Sequence, residues 1–340
     1  MRIIGLFAVV LLAASVASCS EPTVPTAPPE SNSSLEPAAP LFSAGQAGTD
    51  DLTAVDDVPI YADFSNINKK LARMRLGAEL AVAEFVTVST KGEYGRIVFA
   101  SDRGNKQTPF DWVPNDPRRG GLATISYIVD ESDGDATGGL TNADTEPAID
   151  RAMTTWDSQT CSTIGIVGLP YNNRDLGVVE RILGFGGSND VFADITHAGW
   201  LPEAFFNSPP FFPPDGGEFI LGVTFTAGMV DGSGNFTDIN NDGKLDTAFR
   251  EIYYNNAFQW TINNMPFLGS PIDVETVALH EAGHGMSQNH FGDIFVDGGL
   301  TFIHFAPFAV MNAAISRQAQ VLEGTDEAGH CSIWGDWPLN

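Results

Sequence analysis

The stretch that decides the reading is His280-Glu281-Ala282-Gly283-His284-Gly285-Met286-Ser287-Gln288-Asn289-His290. It opens with H-E-x-x-H. Residues four apart share one face of a helix, so His280 and His284 can point at the same ion, with Glu281 beside them. His290 comes six residues after His284, off that helical face. The chain must therefore turn sharply to bring the third imidazole back. Three neutral imidazoles then fill three corners of a tetrahedron and leave the fourth open, the layout of a catalytic zinc rather than a structural one. Working outward, Asp273 reads as an N-cap, and Val274, Val277 and Ala278 form an apolar stripe, so a helix is expected to run into the motif. Gly283, Gly285 and Gly292 are poor helix formers and suit a helix that packs closely and then stops.

H-E-x-x-H-x-x-G-x-x-H followed by a methionine turn marks the metzincin zinc peptidases, and the chain resembles that family at His280, Glu281, His284 and His290. It departs at the family's glycine, where Ser287 stands. A turn with positive φ costs serine more than glycine. Ala309-Val310-Met311-Asn312 resembles the Met-turn, with Met311 as an apolar floor under the metal. No tyrosine stands two residues after Met311, so the resemblance is to the matrixin branch. The tail 324–335 is similar to the last matrixin helix. A strand over 122–129 and a helix over 147–159, with Ala152 and Trp156 on one face, are similar to the opening of a matrixin catalytic domain.

The resemblance runs from Gly120 to the end and implies an α+β, zincin-like fold. A twisted mixed sheet is expected, with an active-site helix and a C-terminal helix after the Met-turn. It implies a zinc-dependent endopeptidase acting on protein or peptide substrates. Zn²⁺ on His280, His284 and His290 would activate a water, and Glu281 would serve as general base. The ligand chemistry leaves two alternatives open. One is a lipid-anchored binding or adhesion protein with a metal-stabilised, non-catalytic core. The other is a zinc hydrolase acting on another bond, such as a cell-wall amide.

With 340 residues, 43% of them hydrophobic, the chain has enough material for a sizeable core and a smaller appendage. Its net charge of −26 repels nucleic-acid phosphates, so nucleic acid is not an expected partner. The same acidity offers oxygen ligands for Ca²⁺. Residues 1–18 read as a lipoprotein-type signal: Arg2, then an apolar run too short to span a bilayer, then Val16-Ala17-Ser18-Cys19. That tetrapeptide resembles the bacterial lipobox, which would acylate Cys19. An ordinary secretory signal is the alternative. Either way the chain is expected to be exported, and the lipobox reading places it on the outer membrane or cell surface. Residues 19–57, rich in Pro, Ser and Ala, read as a tether. Cys161 and Cys331 then remain as a pair in an oxidising compartment, and a disulfide is expected between them.

Residues 58–118 read as a small N-terminal region, with helical spacing over 66–85 and strands over 85–88 and 95–99. A propeptide, a packing layer and a docking module are all open readings. The region has no cysteine that could latch onto a metal. The domain that follows, 119–340, is expected to add strands over 164–169, 178–183, 190–197 and 219–227. The resemblance implies that a substrate strand would add to the sheet near 219–227. Asp194 and His197 raise the question of a second metal, with a hydrogen-bonded loop histidine as the alternative. Asp238-Ile239-Asn240-Asn241-Asp242-Gly243-Lys244-Leu245-Asp246 begins like an EF-hand loop, so Asp238, Asn240, Asp242 and Asp246 are candidate Ca²⁺ ligands. Phe249 stands where the loop's closing glutamate would be. A monomer is expected.

Overall fold

The computed structural model describes residues 53–55, 60–88, 96–99, 107–133, 135–267, 269–296 and 303–339. Residues 1–18, read as a signal, Cys19, and nearly all of 19–57, read as a tether, lie outside the described residues. The first elements are β1 (Thr53–Val55), β2 (Ile60–Tyr61), α1 (Ser65–Met74), β3 (Ala78–Val88), β4 (Arg96–Phe99) and β5 (Phe110–Asp111). Next come β6 (Ile125–Val129), α2 (Asn142–Asp157), β7 (Ile166–Gly168), α3 (Val178–Leu183), β8 (Ile195–Leu201) and α4 (Glu203–Phe206). Then follow β9 (Ile220–Met229), β10 (Leu245–Asn255), β11 (Trp260–Thr261), β12 (Ile272–Asp273) and α5 (Val274–Gly285). The chain closes with β13 (Asp293–Val296), β14 (Ile303–Ala306), β15 (Ala314–Ile315) and α6 (Gly324–Trp334).

The fold is mixed, of α+β type. Its main sheet runs β2-β4-β3-β9-β10-β8-β6-β7, with β15 added on β3 and β5 on β10. Strands β7, β6, β8 and β10 are parallel, whereas β9 runs antiparallel to β10, and β3 antiparallel to β9. All residues of β8 and β9 are buried, so these strands read as apolar runs without clean alternation, as expected where both faces are covered. Helices α2 and α5 pack on one another, and α5 lies against β3, β9 and β10.

Several elements differ from the periodicity reading. The helix expected over 66–85 stops at Met74, where Arg75 takes φ 61 and Gly77 follows at φ 66; Leu80 and Val82 lie on β3 instead. The Asn68 side chain fastens α1 to that strand, accepting from the Leu80 amide at 2.8 Å and donating to its carbonyl at 3.0 Å. The stretch 178–183, expected as a strand, is helix α3. Its first amides donate to the Glu251 carboxylate on β10, at 2.7 Å from Val178 and 2.9 Å from Val179. A tertiary cap overrides the β-branched composition there. Helix α2 begins five residues before Pro147, because Thr141 and Asp144 form a capping box. The strand expected over 190–197 is shifted to Ile195–Leu201, since the Asp194 carboxylate is tied to Arg119 and Ser126 just before it.

Residues 60–88 share the sheet and the core with the rest of the chain. β3 is an internal strand between β4 and β9, and one apolar cluster extends from Phe64 to Trp337. Cys161, beyond the end of α2, is bonded to Cys331 on α6, so the expected disulfide is made.

Candidate metal centre

Helix α5 starts where Asp273 accepts from the Thr276 amide at 2.9 Å and its hydroxyl at 2.7 Å. Every residue of the helix is buried. Three indoles donate to carbonyls of the helix and its C-cap. Trp156 donates to Leu279 at 2.9 Å, Trp112 to Gly285 at 3.0 Å and Trp334 to Met286 at 2.9 Å. Gly283 is needed for packing rather than for flexibility. A methyl group there would collide with the Met311 sulfur and lie 2.9 Å from the Trp156 ring.

His280 Nδ1 donates to the Val310 carbonyl at 2.7 Å, and His284 Nδ1 donates to the Gln288 carbonyl at 2.9 Å. Each bond fixes the tautomer and leaves the Nε2 lone pair free. The Nε2 atom of His280 lies 3.0 Å from that of His284 and 3.3 Å from that of His290. Tetrahedral zinc with ordinary Zn–N bonds sets its nitrogen ligands about 3.3 Å apart. The donor set therefore fits such an ion, and all three sequence-predicted ligands are brought together.

The third ligand depends on the turn at Ser287. That residue is 1% exposed and takes φ 65, so the left-handed conformation usual for glycine is held by a serine. Arg250, fully buried on β10, secures it. Its Nη2 donates to Ser287 Oγ at 3.0 Å and to the Phe110 carbonyl at 2.9 Å, while Nη1 donates to the His284 carbonyl. The guanidinium also lies 5.4 Å from the Trp112 ring centre. Burial lowers its pKa to about 10, which leaves it charged at neutral pH. The sequence reading missed Arg250. Its signal was faint: an adjacent Arg-Glu pair inside the otherwise apolar and aromatic Ala248-Phe249-Arg250-Glu251-Ile252-Tyr253-Tyr254.

Glu281 is fully buried. Its Oε2 accepts from the Thr224 hydroxyl at 2.6 Å, and Oε1 has no hydrogen-bond partner. Burial pushes this carboxyl up to about 8, against the downward pull of His284 and Thr224. The backbone of β9 comes close at Gly222, where a methyl group would sit 2.9 Å from Oε1. Glu84 was also missed. It lies on β3, fully buried, with Oε1 3.3 Å from His284 Nδ1. The N-terminal region thus places a carboxylate behind one of the three imidazoles.

The Met-turn is tied from α6. Asp326 accepts from the Val310 amide at 2.9 Å and the Met311 amide at 3.1 Å. Asn312 links the turn to the chain beyond His290, donating to the Phe291 carbonyl at 2.7 Å.

The other predicted positions fare differently. Asp238, Asn240 and Asp242 share one turn, with Asn240 donating to Asp242 at 2.6 Å and the Gly243 amide donating to Asp238 at 3.1 Å. Asp246 does not join them. It is buried, paired with Arg118 at 2.7 Å and bonded to the Thr237 hydroxyl at 2.5 Å, so its oxygens serve an ion pair instead of the expected Ca²⁺. His197 is a buried strand residue rather than a loop histidine. Its Nδ1 is 2.7 Å from the Tyr254 hydroxyl, and Nε2 is 3.3 Å from the Met153 sulfur.

No protein-family model matches this chain, and no curated protein matches it in sequence.

Proposed function

We propose that the chain is a zinc-dependent endopeptidase of metzincin type, with Glu281 as its general base. One observation supports this above the rest: three imidazole Nε2 atoms face one point, with a carboxyl on the residue after the first ligand. Zinc held there would supply Lewis acidity, lowering the pKa of a water and polarising a peptide carbonyl. The protein's own groups do the remaining work. Thr224 orients Glu281 through Oε2, leaving Oε1 available to accept a proton from the attacking water and return it to the leaving amine. Arg250 holds the turn that presents His290, and Asp326 holds Met311 beneath the helix.

The centre is closed as folded. His280, Glu281 and His284 are 0% exposed and His290 is 4% exposed. A polypeptide substrate would be recognised by adding a strand beside β9. That edge is taken by β3, in a register that sets Val86 opposite Gly222. Strand β15, just after the Met-turn, holds β3 from the other side through Thr87 and Val88. On this reading, β3 must be displaced or cut away before a protein substrate enters. The same burial gives weight to the second reading, a metal-stabilised core without turnover.

The test is degradation of an unfolded protein by the zinc-loaded chain, intact and after limited proteolysis ahead of residue 107, beside the Glu281→Ala variant. Cutting by the trimmed parent, with none by a variant that still holds zinc, supports the peptidase. Equal zinc in both with no cutting in any form leaves the binding-protein reading.

A further inference from the structure

A second polar cluster, of carboxylates running from buried to exposed, gathers beyond the end of β6. Asp130 follows β6, Asp133 lies in the next loop, and Asp175 and Glu180 come from the segment between β7 and β8. Oxygens of Asp130, Asp133 and Asp175 all fall within 4.8 Å of one another. The Glu180 carboxyl sits beside those of Asp133 and Asp175. Glu180 is 0% exposed, and no amide or hydroxyl donates to either of its oxygens; among the described residues, only the carboxyls of Asp133 and Asp175 come within hydrogen-bonding reach of it.

Glu84 and Glu281 each leave one oxygen without a donor, whereas Glu180 leaves both, and Glu251 shows the opposite case. Glu251 is equally buried, but it accepts from two backbone amides and from the Tyr253 hydroxyl at 2.7 Å. Around Glu180 the backbone makes room without supplying donors. A methyl group at Gly187 would lie 2.7 Å from Glu180 Oε1, and one at Gly186 would lie 3.0 Å from Asp175 Oδ2. The charged neighbours acting on Glu180 are Asp133, Asp175 and Glu251, all acidic. Burial, with Asp130 and Asp175, pushes Asp133 up to about 7; burial, with Asp133, Asp175 and Glu251, pushes Glu180 up to about 12, a sign of how little positive charge reaches them.

Buried carboxylates without donors cost several kcal/mol each unless a cation or a proton neutralises them. We propose that Asp130, Asp133, Asp175 and Glu180 bind a hard divalent cation, calcium by the oxygen-only character of the donors. Zinc prefers nitrogen and sulfur, and magnesium accepts an irregular set of protein oxygens less readily. The ion would tie the β7–β8 segment, with α3, to the end of β6. This site is independent of the imidazole centre and of the peptidase reading.

The experiment is calcium titration of the full exported chain by calorimetry, with thermal unfolding followed in parallel. Three variants stand beside the parent: Glu180→Gln, Asp133→Asn and the loop control Asp238→Asn/Asp242→Asn. The parent is expected to bind calcium and to gain roughly 5–10 °C in Tm at a hundredfold excess over Kd. Glu180→Gln and Asp133→Asn should each weaken that binding tenfold or more and remove the gain, while the loop control keeps both. Asp133 is only partly buried, so its variant stays informative if Glu180→Gln fails to fold. Two results would overturn the proposal. One is loss of the calcium effect in the loop control with retention in both cluster variants. The other is absence of any calcium effect in the parent, with Glu180→Gln more stable than the parent, which would mark a proton-sharing acid pair.

Discussion

The two clusters differ in how the lone pairs of their buried members are handled. At the imidazole centre, His280 and His284 each use one ring nitrogen on a backbone carbonyl, so the second is aimed by bonds already made. At the carboxylate cluster, Glu180 is placed by crowding from glycine backbone and receives no amide or hydroxyl donor. In the second, Asp130 accepts from Ser132 and Leu176 and Asp175 from Gly187, while Glu180 is set by exclusion. A centre of the first kind keeps its geometry when its ion is removed. A centre of the second kind needs charge compensation to stay folded.

The sharpest way to break the comparison is at the imidazoles. His290→Ala should abolish zinc retention and any turnover while leaving the fold intact, whereas Glu281→Ala should keep the metal and lower turnover about 10²–10⁴-fold. Metal content and rate on the same samples separate the two. Next in size is Arg250→Met. It leaves the Ser287 turn and the buried Glu84 without their cation, and should cost about 3–5 kcal/mol in denaturant unfolding. An unchanged midpoint would mean that Arg250 is no buttress.

An imidazole outside the centre gives a pH test. His330 is buried against Trp156, neither ring nitrogen has a partner, and burial lowers its pKa to about 4. Below about 6.5 the unfolded chain takes up a proton that the folded chain refuses, so stability falls as pH falls. The loss should proceed at about 1.4 kcal/mol per pH unit until about pH 4, and His330→Leu should remove that slope from the acid limb. The smallest effect is expected at Ser287→Gly. It relieves a left-handed residue but gives up the hydroxyl that Arg250 reaches, so the net change should stay within about 1 kcal/mol. Ser287→Ala keeps the strain, loses the acceptor and should be the worse of the pair.

The imidazole centre was legible because its parts are local. Four residues within eleven positions, a cap at Asp273 and a methionine downstream specify a helix, a turn and a floor. The periodicity of 66–85 was misread because Leu71, Met74, Leu80 and Val82 satisfy two patterns, and only Arg75 and Gly77 mark the change from helix to strand. The segment 178–183 was misread because its decisive partner, Glu251, is more than seventy residues away.

Sequence by itself determined which residues form the three-histidine motif, where its helix starts, and that Cys161 and Cys331 form the available pair. Those follow from fixed spacings and from a count of residue types. Tertiary structure decided that β3 closes the edge of β9, that Arg250 holds a serine in a glycine's conformation, and that Asp246 pairs with Arg118 while bonding its loop through the Ile239 amide. It also brought Asp130, Asp133, Asp175 and Glu180 together. These outcomes depend on which distant groups share one desolvated space. Only the folded chain sets that, because burial turns an ordinary acid or base into one that must find a partner.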